Sequence, residues 1–416
     1  MSEQTIIFTI VTTIILLVDI YVSTSLRGSL KHAPRFVRLS VWAINIFSWV
    51  IASIMLFNMF VDPRDGMYDR DIYENITIGL FMTFLVTKLF YIAFLLIQDV
   101  VGLGDRTVRA LRKQRRTPVD QSRRRFIGQT GLVLAALPFT SMLWGMVKGK
   151  YNFKVHRQIL YYDDLPEAFD GFTITQISDI HSGSFDNSEA VQLGVDLIAK
   201  QNSDLILFTG DLVNGMAYEI EPYMDMFGKL SAPFGKFSTL GNHDYGEYEE
   251  WEAPQDKIDN TQKIMDHHKT MGFNLLNNES LLLNKGKDSI RLAGAENWGN
   301  PPFPSKGDLD KTFPVLDREF TILMSHDPHH WDEKVIDHPK QVDLTLAGHT
   351  HGMQFGVDIP WLKWSPVQYV YPRWAGLYEE GKQKLYVNRG FGFIGYPGRV
   401  GIMPEITVFE LRKNPV

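Results

Sequence analysis

Long apolar runs dominate the first third of the chain, separated by short charged segments. The runs are Thr5 to Leu26, Leu39 to Phe60, Ile76 to Ile97 and Phe126 to Val147. Each is long enough to cross about 30 Å of hydrocarbon as a helix. A buried core helix would explain any one of them. Four together predict an all-α membrane domain over residues 1–147 with four transmembrane helices.

The charges between these runs predict the orientation of the domain. The first and third connections are basic, whereas the second is mainly acidic. Basic connections stay in the cytoplasm, so the chain after Val147 is expected on the extracytoplasmic, periplasmic side. Arg123, Arg124 and Arg125 also resemble a twin-arginine export signal, and a simple positive flank remains the alternative. Both interpretations give the same side. The first connection contains Arg27, Lys31, Arg35 and Arg38. The second contains Asp62, Asp65, Asp69, Asp71 and Glu74, with only Arg64 and Arg70 as basic residues. The third contains Arg106, Arg109, Arg112, Lys113, Arg115 and Arg116 in addition to the three arginines above.

Two ionisable residues fall inside the apolar runs, Asp19 in the first and Lys88 in the third. Charges inside a membrane are costly and are usually paired. With the orientation above, the two lie at a comparable depth, so we expect an ion pair between the first and third spans. A proton or ion path is the alternative.

A short linker, residues 148–156, leads into a region with a different pattern. From 157 to 416, short apolar runs alternate with amphipathic helical segments, which predicts an α/β domain. The predicted helices run from an N-cap at Asn187 to Lys200, from Pro222 to Leu230 and from Asp256 to Met271. The predicted strands are Phe172–Ser178, Leu205–Thr209, Phe237–Leu240, Ser289–Ala293, Phe320–Ser325, Leu344–Ala347, Lys384–Val387 and Ile406–Leu411.

Polar residues follow five of these strands at once. The segments are Asp179-Ile180-His181, Gly210-Asp211, Gly241-Asn242-His243-Asp244, Ser325-His326 and Gly348-His349-Thr350-His351. The carboxyl ends of parallel strands are where ligands bind, and carboxylates, imidazoles and a carboxamide suit Mn, Fe, Zn or a similar divalent ion. Residues two apart face the same way in an extended chain. We therefore expect Asp179 to face with His181, and His349 with His351.

The amino-acid composition excludes some kinds of site and partner. The chain has no cysteine, so thiolate metal sites and cysteine nucleophiles are excluded. A net charge of −6 argues against a nucleic-acid partner.

The ordered set of strand-end segments resembles the calcineurin-like metallophosphoesterase family, over about Phe172 to Leu411. The run Gly348 to Gln354, the segment Tyr386 to Gly390 and the segment Pro404 to Ile406 are similar to the membrane-tethered or exported bacterial phosphodiesterase-type subgroup. Met353 departs from the glycine that many such members carry, which bears on pocket shape. The resemblance implies a four-layer αββα sandwich and a metal-dependent phosphoric ester hydrolase with two divalent ions.

The same resemblance implies residue roles. One ion would be held by Asp179, His181, Asp211 and His351, and the other by Asp211, Asn242, His326 and His349. Asp211 would bridge the two, His243 would protonate or stabilise the leaving oxygen, and Asp244 would orient His243. His267 and His268 are expected to be solvated. His329, His330 and His338 match no motif of the family, so we expect them outside the site.

An aromatic segment follows the last motif and includes Trp361, Trp364, Tyr369, Tyr371 and Trp374. Aromatic residues of this kind favour a membrane–water interface, and packing in a core corner is the alternative. We expect one lip of the pocket here and a phospholipid or lipid-linked sugar phosphate as substrate. A hydrolase of small soluble phosphoesters, a non-catalytic lipid or phosphate sensor and a transporter are the rival functions.

Overall fold

The computed structural model of the chain describes residues 3–60, 72–111 and 121–414. The chain divides into two compact units. Among the described residues, one comprises residues 3–60, 72–111 and 121–146, and the other comprises residues 147–414.

The first unit contains four helices: α1 (Glu3–Ser29), α2 (Arg35–Phe60), α3 (Ile72–Leu111) and α4 (Gln121–Val147). Each is long and apolar enough to cross a membrane, which confirms the predicted four spans. The helices extend beyond the apolar runs, since α3 continues well past Ile97. Residues 61–71 and 112–120 carry much of the charge that predicts orientation, and they lie outside the described residues.

Asp19 and Lys88 form the predicted ion pair. The Lys88 ammonium donates to the Asp19 carboxylate between α1 and α3, and both side chains are largely buried. Pairing within the bundle removes the cost of either charge facing hydrocarbon.

The second unit is built from two sheets and a small hairpin. Its strands are β1 (Lys154–Tyr162), β2 (Thr173–Ile177), β3 (Leu205–Phe208), β4 (Lys236–Ser238), β5 (Asn274–Leu275), β6 (Glu279–Lys285), β7 (Asp288–Gly294), β8 (Thr321–Met324), β9 (Leu344–Ala347), β10 (Val357–Ile359), β11 (Leu362–Trp364), β12 (Gly376–Glu380), β13 (Gln383–Val387) and β14 (Glu405–Lys413). The first sheet has the order β1-β14-β2-β3-β4-β5, and the second has the order β12-β13-β9-β8-β7-β6. Strands β10 and β11 form an antiparallel hairpin.

Helices cover the outer faces of the sheets. They are α5 (Ser188–Ala199), α6 (Met224–Gly228), α7 (Pro254–Thr270) and α8 (Leu309–Thr312), together with a π-helical turn, Trp331–Val335. Asn187 caps α5 as predicted, because its side chain accepts from the Ala190 amide at 3.0 Å. The predicted helix from Pro222 to Leu230 is wrong in its bounds. A 3₁₀ segment, Ala217–Tyr223, precedes α6 there.

Alternate residues of the central strands enter different cores, as the period of two requires. Leu205 and Leu207 pack between the sheets with residues of β7, β8 and β9, whereas Ile206 and Phe208 pack outward in the cluster that contains α5 and α7 residues. On the other sheet, Leu323 packs outward with Trp331. The layers are thus helix, sheet, sheet and helix, and the predicted αββα architecture is confirmed.

Hydrogen bonds between the sheets hold their ends together. The Gln176 side chain on β2 donates to the Ala347 carbonyl on β9 at 2.9 Å. Thr239, directly after β4, donates to the Ala295 carbonyl after β7 at 2.5 Å. Strands β2, β3 and β4 are mutually parallel, as are β7, β8 and β9. The polar segments that follow them therefore meet at one edge of the sandwich.

Candidate metal centre

The Asp179 and His181 side chains meet because of an unusual backbone, not because the chain is extended. Both residues are in the left-handed region, with φ of 52° and 46°. His349 and His351 share it, with φ of 71° and 51°. The expectation of extended geometry is therefore wrong. The loop turns sharply after each strand, so residues two apart still converge.

Asp211 also has a positive φ, 60°. Five of the seven predicted ligands thus occupy a conformation that costs roughly 1–3 kcal/mol per non-glycine residue. The structure keeps this strain because the surroundings leave no alternative. A side chain on Gly241, for example, would overlap the carboxylate of Asp211.

The seven predicted metal ligands come together in two adjoining groups. Asp179, His181 and His351 form one triad with ligand atoms within 4.8 Å of one another, and Asp211, His326 and His349 form a second. Asn242 joins the second triad, because its Oδ1 lies 2.7 Å from the Nδ1 of His349.

Asp211 lies where the two triads meet. One of its oxygens, Oδ2, is 3.0 Å from the Nε2 of His326 in its own triad and 3.5 Å from the Nε2 of His181 in the other. Its other oxygen accepts from the His243 amide at 2.9 Å. A carboxylate can serve two ions at once, whereas an imidazole serves one.

The polar atoms at the centre of the cluster fit a cation. Among the described residues, five buried atoms there have no hydrogen-bond partner. Leaving such an atom unpaired costs about 1–3 kcal/mol, so this concentration of lone pairs is expected where a cation completes the site. The atoms are Oδ2 of Asp179, Nδ1 and Nε2 of His181, Nε2 of His326 and Nε2 of His351.

The outward nitrogen of His326 is held by the backbone. Its Nδ1 lies 2.7 Å from the Thr209 carbonyl and donates to it, so Nε2 is the nitrogen that faces the cluster, as is usual for metal-binding histidines. Burial lowers the pKa of His181 and of His349, which keeps these imidazoles neutral and able to bind a cation.

His243 lines a cavity of about 210 Å³ at this cluster, together with His181, Asp211 and Asn242. Its Nδ1 donates to the Asn214 carbonyl at 2.6 Å. Burial lowers the pKa of His243. Because Nδ1 is engaged with the backbone, proton exchange at this ring takes place at Nε2.

Asp244 does not make the predicted hydrogen bond to His243. Its carboxylate accepts from the amides of Asp211 at 2.9 Å, Leu212 at 2.8 Å and Gly241 at 2.8 Å. Burial and the Asp211 carboxylate raise the pKa of Asp244 to about 7, against the opposing effect of the amide donors. Each of these amides donates a hydrogen bond to the carboxylate. Asp244 therefore braces the loop that carries Asp211, and the Asn214 carbonyl orients His243 instead.

Tyr371, Asp327 and His329 surround His349, although none of them belongs to a motif of the family. The Tyr371 hydroxyl lies 2.7 Å from the Nε2 of His349, and the Asp327 carboxylate lies 3.7 Å from the same atom. The ring of His329 packs on Tyr371 with centroids 4.3 Å apart and lies beside Asp327. Asp327 directly follows the predicted ligand His326, so its place near the cluster could have been predicted from the sequence. The roles of Tyr371 and His329 depend on tertiary contacts.

Arg399 is a further buried residue at the cluster. Its guanidinium is fully buried, with Nη2 3.1 Å from the Nδ1 of His351 and hydrogen bonds to the Gly392 carbonyl at 2.5 and 2.8 Å. It fixes the outer side of the His351 ring. No spacing or pattern signal in the sequence pointed to it.

The remaining histidines lie away from the cluster. His330 is buried against Ser325, with 2.7 Å between ring nitrogen and hydroxyl, and His338 pairs with Asp310 at 3.3 Å. His267 is partly buried near Glu221. The expectation for His268 is wrong, because this residue is fully buried and bonded to the Ser238 hydroxyl at 2.9 Å.

Part of the aromatic segment is buried in a core corner, and part of it is exposed as a membrane-facing surface would require. Tyr371 and Trp374 are buried in a small cluster with Val367 and Ile402. Trp361 is 80% exposed and Tyr369 is 77% exposed. Other apolar side chains near them are also exposed: Met353, Ile359, Leu362 and Val370. Trp364 is half-buried.

A two-sheet sandwich with a buried Asp/His/Asn cluster at its strand ends defines a metal-dependent phosphoesterase, and sequence comparisons agree. Residues 172–353 match the calcineurin-like phosphoesterase family, and residues 3–150 match the probable calcineurin-like phosphoesterase transmembrane domain. This chain belongs to the calcineurin-like phosphoesterase family. With four candidate spans and the transmembrane match, it is a multi-pass membrane protein.

Individual relatives are similar over much of the chain. The metallophosphoesterase YkuE of Bacillus subtilis is 35% identical over 259 residues, which cover 60% of this chain and 82% of YkuE. Phosphodiesterase YaeI of Escherichia coli is 27% identical over 305 residues, which cover 70% of this chain and 99% of YaeI.

Proposed function

We propose that the second unit hydrolyses phosphate esters with two divalent cations, Mn, Fe, Zn or similar, at the extracytoplasmic face of the membrane. Asp179, His181 and His351 would hold one cation, and Asn242, His326 and His349 would hold the other. Asp211 would be a ligand of both. The observation that carries this proposal is the pair of adjoining Asp/His triads, together with buried ligand atoms of Asp179, His181, His326 and His351 that have no hydrogen-bond partner among the described residues.

The chemistry follows from the residues around the cations. When bound, the cations would polarise phosphoryl oxygens and lower the pKa of an attacking water. His243 lines the same cavity, and its imidazolium form, protonated at both nitrogens, would donate the Nε2 proton to the departing oxygen as a general acid. The Asn214 carbonyl fixes the His243 ring, and Asp244 keeps the Asp211 loop in place. Phe303 and Val367 provide apolar walls that limit water in the cavity.

The substrate we propose is a phospholipid or a lipid-linked sugar phosphate. Exposed Trp361 and Tyr369 give the surface of this unit an apolar character that a soluble ester does not require. The covalent connection is short, since α4 ends at Val147 and β1 begins at Lys154. A connection of so few residues limits how far this unit can extend from the bilayer.

Rival functions lack a supporting observation of this kind. A hydrolase of small soluble phosphoesters would use the same centre, and only the exposed aromatic segment favours the lipid. A sensor without turnover is expected to lack a ligand or the acid, whereas the seven ligands and His243 are all present. A transporter is disfavoured because the spans show one internal charge pair and no inverted repeat.

Turnover of mono- and bis-p-nitrophenyl phosphate by the purified full-length protein with Mn²⁺ tests the core of the proposal. His243→Ala should abolish or strongly reduce turnover while bound metal stays at the wild-type level. Asp211→Asn should reduce both turnover and bound metal. Two ions per chain at wild-type affinity in Asp211→Asn would contradict the bridging assignment, and wild-type turnover in His243→Ala would contradict the acid role.

The lipid substrate needs a separate comparison. Trp361 and Trp364 were the residues that the sequence suggested, but Trp364 is half-buried, so the exposed pair is the better choice. Trp361→Ala with Tyr369→Ala should lower hydrolysis of phospholipid in vesicles and spare a soluble ester. Tyr161→Ala, on exposed β1, is the matched control because it also removes an exposed ring. Equal loss on both substrates would count against a lipid.

A further inference from the structure

The four-helix unit contains a polar cavity at its predicted cytoplasmic end. It has a volume of about 300 Å³ and lies between α1, α3 and α4. Lys31 and Arg125 are at its edge, and Ser29 and Gln98 line it. Ser29 and Gln98 are buried, with 5% and 9% exposure. Cations at the edge with buried polar groups beneath them make this a built site rather than a charged surface.

A second cavity lies deeper between the same helices. Its volume is about 210 Å³, all four helices line it, and its surface is almost entirely apolar, with Leu26, Ile44, Phe84 and Leu132 among its walls. An empty cavity of this size loses dispersion contacts on every wall. In a bilayer, the available apolar filler is an acyl chain.

The two cavities adjoin. Ser29 lines the polar one and Tyr91 lines the apolar one, and their hydroxyl oxygens are 3.3 Å apart. Leu26 and Ser29 are successive positions on one face of α1, as Tyr91 and Leu95 are on α3. A ligand that fills both has a polar head and an apolar tail.

The charges select the sign of the head. Lys88, at the apolar cavity, is neutralised by Asp19. Lys31 and Arg125 have no carboxylate partner within the described part of the chain. Anionic headgroups are enriched at the cytoplasmic surface of membranes, where basic side chains attract them.

We propose that the four-helix unit binds one anionic phospholipid from the inner leaflet. Its phosphate lies against Lys31 and Arg125 with Ser29 beneath, and one acyl chain occupies the apolar cavity. The site is distinct from the metal centre and does not depend on the proposed hydrolysis, and it shares with that proposal only the predicted orientation of the membrane unit. It gives the membrane unit a ligand of its own.

Lipid retention by the full-length protein tests this. Wild type is reconstituted in phosphatidylcholine vesicles with one-tenth phosphatidylglycerol, extracted in mild detergent and examined by native mass spectrometry. About one phosphatidylglycerol per chain is expected to remain bound. Lys31→Gln with Arg125→Gln should weaken retention about 30-fold, since each basic side chain near an anionic headgroup contributes about a factor of five.

The control is Arg27→Gln with Arg35→Gln, which removes the same charge from two exposed positions near the same end of the unit that do not line the cavity. It should retain lipid like wild type. Glycerol 3-phosphate, which has the head without the tail, should not displace the lipid. Equal loss in both double variants, displacement by glycerol 3-phosphate, or equal retention of phosphatidylcholine and phosphatidylglycerol would each overturn the proposal.

Discussion

Replacing Asp244 by asparagine distinguishes two roles for this residue. In the structure its Oδ2 accepts from the amides of Asp211 and Gly241, and its Oδ1 accepts from the amide of Leu212. Asparagine offers one acceptor oxygen and one NH₂ group. Whichever way the amide is oriented, at least one backbone N–H then faces another donor.

The size of the effect follows from these bonds. Hydrogen bonds to a charged group contribute about 1.5–3 kcal/mol each. The variant loses one such bond, and its remaining hydrogen bonds are made to a neutral oxygen instead of a carboxylate. Together these losses should lower the free energy of unfolding by about 2–4 kcal/mol. The loop that carries Asp211 should also shift. Changes to residues that support metal ligands typically cost 10–100-fold in metal affinity. We therefore expect half-maximal turnover to require a Mn²⁺ concentration that is higher by a factor in that range.

Thermal unfolding and Mn²⁺ titration of the purified variants measure both effects. Asp204→Asn is the matched control, because Asp204 accepts from the Thr173 amide and hydroxyl, both at 2.8 Å, at the opposite, amino ends of β2 and β3. It should lower stability without changing the Mn²⁺ dependence. If Asp244→Asn keeps wild-type metal affinity and shifts only the pH profile of kcat, Asp244 acts on His243 and the bracing role is refuted.

Three further predictions concern topology, the membrane ion pair and pH. Alkaline phosphatase fused after Lys150 should be active and the same reporter after Arg116 silent, and the reverse pattern would overturn the orientation inferred from charge. Asp19→Asn or Lys88→Met should each destabilise the protein by about 3–5 kcal/mol, whereas the double variant should cost much less than their sum. Additive thermal-unfolding losses would argue against a pair. Hydrogen bonds from Arg291 and Lys340 lower the pKa of Glu319 from 4.5 to about 2. Its contribution is therefore present above pH 4.5 and lost as the pH falls toward 2. Glu319→Gln should be less stable than wild type at pH 7. The difference in the free energy of unfolding should disappear as the pH falls from 4.5 to about 2 and should stay constant above pH 4.5.

The sequence was sufficient to predict those elements whose burial appears as a continuous run of apolar residues along the chain. The spans are runs of apolar residues with charged ends, and β3 and β9 are short apolar runs because both of their faces are covered. Ligands at the ends of such strands, as in Asp211 and His326, stand out because a polar residue follows a buried run directly. Strands with one exposed face, such as β1 and β6, carry no such signal and were missed.

Contacts between distant segments could not be obtained this way. His268 lies on a polar helix and looks solvated, yet it is fully buried, where its ring stacks on Phe208 and bonds to the Ser238 hydroxyl, thirty residues away in sequence. Asp244 is adjacent to His243, and adjacency suggested a partnership. The left-handed turn at Asp211 instead points the amides of Asp211 and Leu212 at the Asp244 carboxylate.

The strained backbone at the ligands explains why the two sheets must be locked together there. Left-handed residues such as Asp179 and His349 relax unless the surroundings prevent it. The Asp179 carboxylate accepts from the His349 amide at 2.9 Å, which joins a loop of the first sheet to a loop of the second. Gln176 and Thr239 form bonds between the same sheets just behind the cluster. The geometry of the site is thus a property of the sheet pair, and no single motif in the sequence contains it.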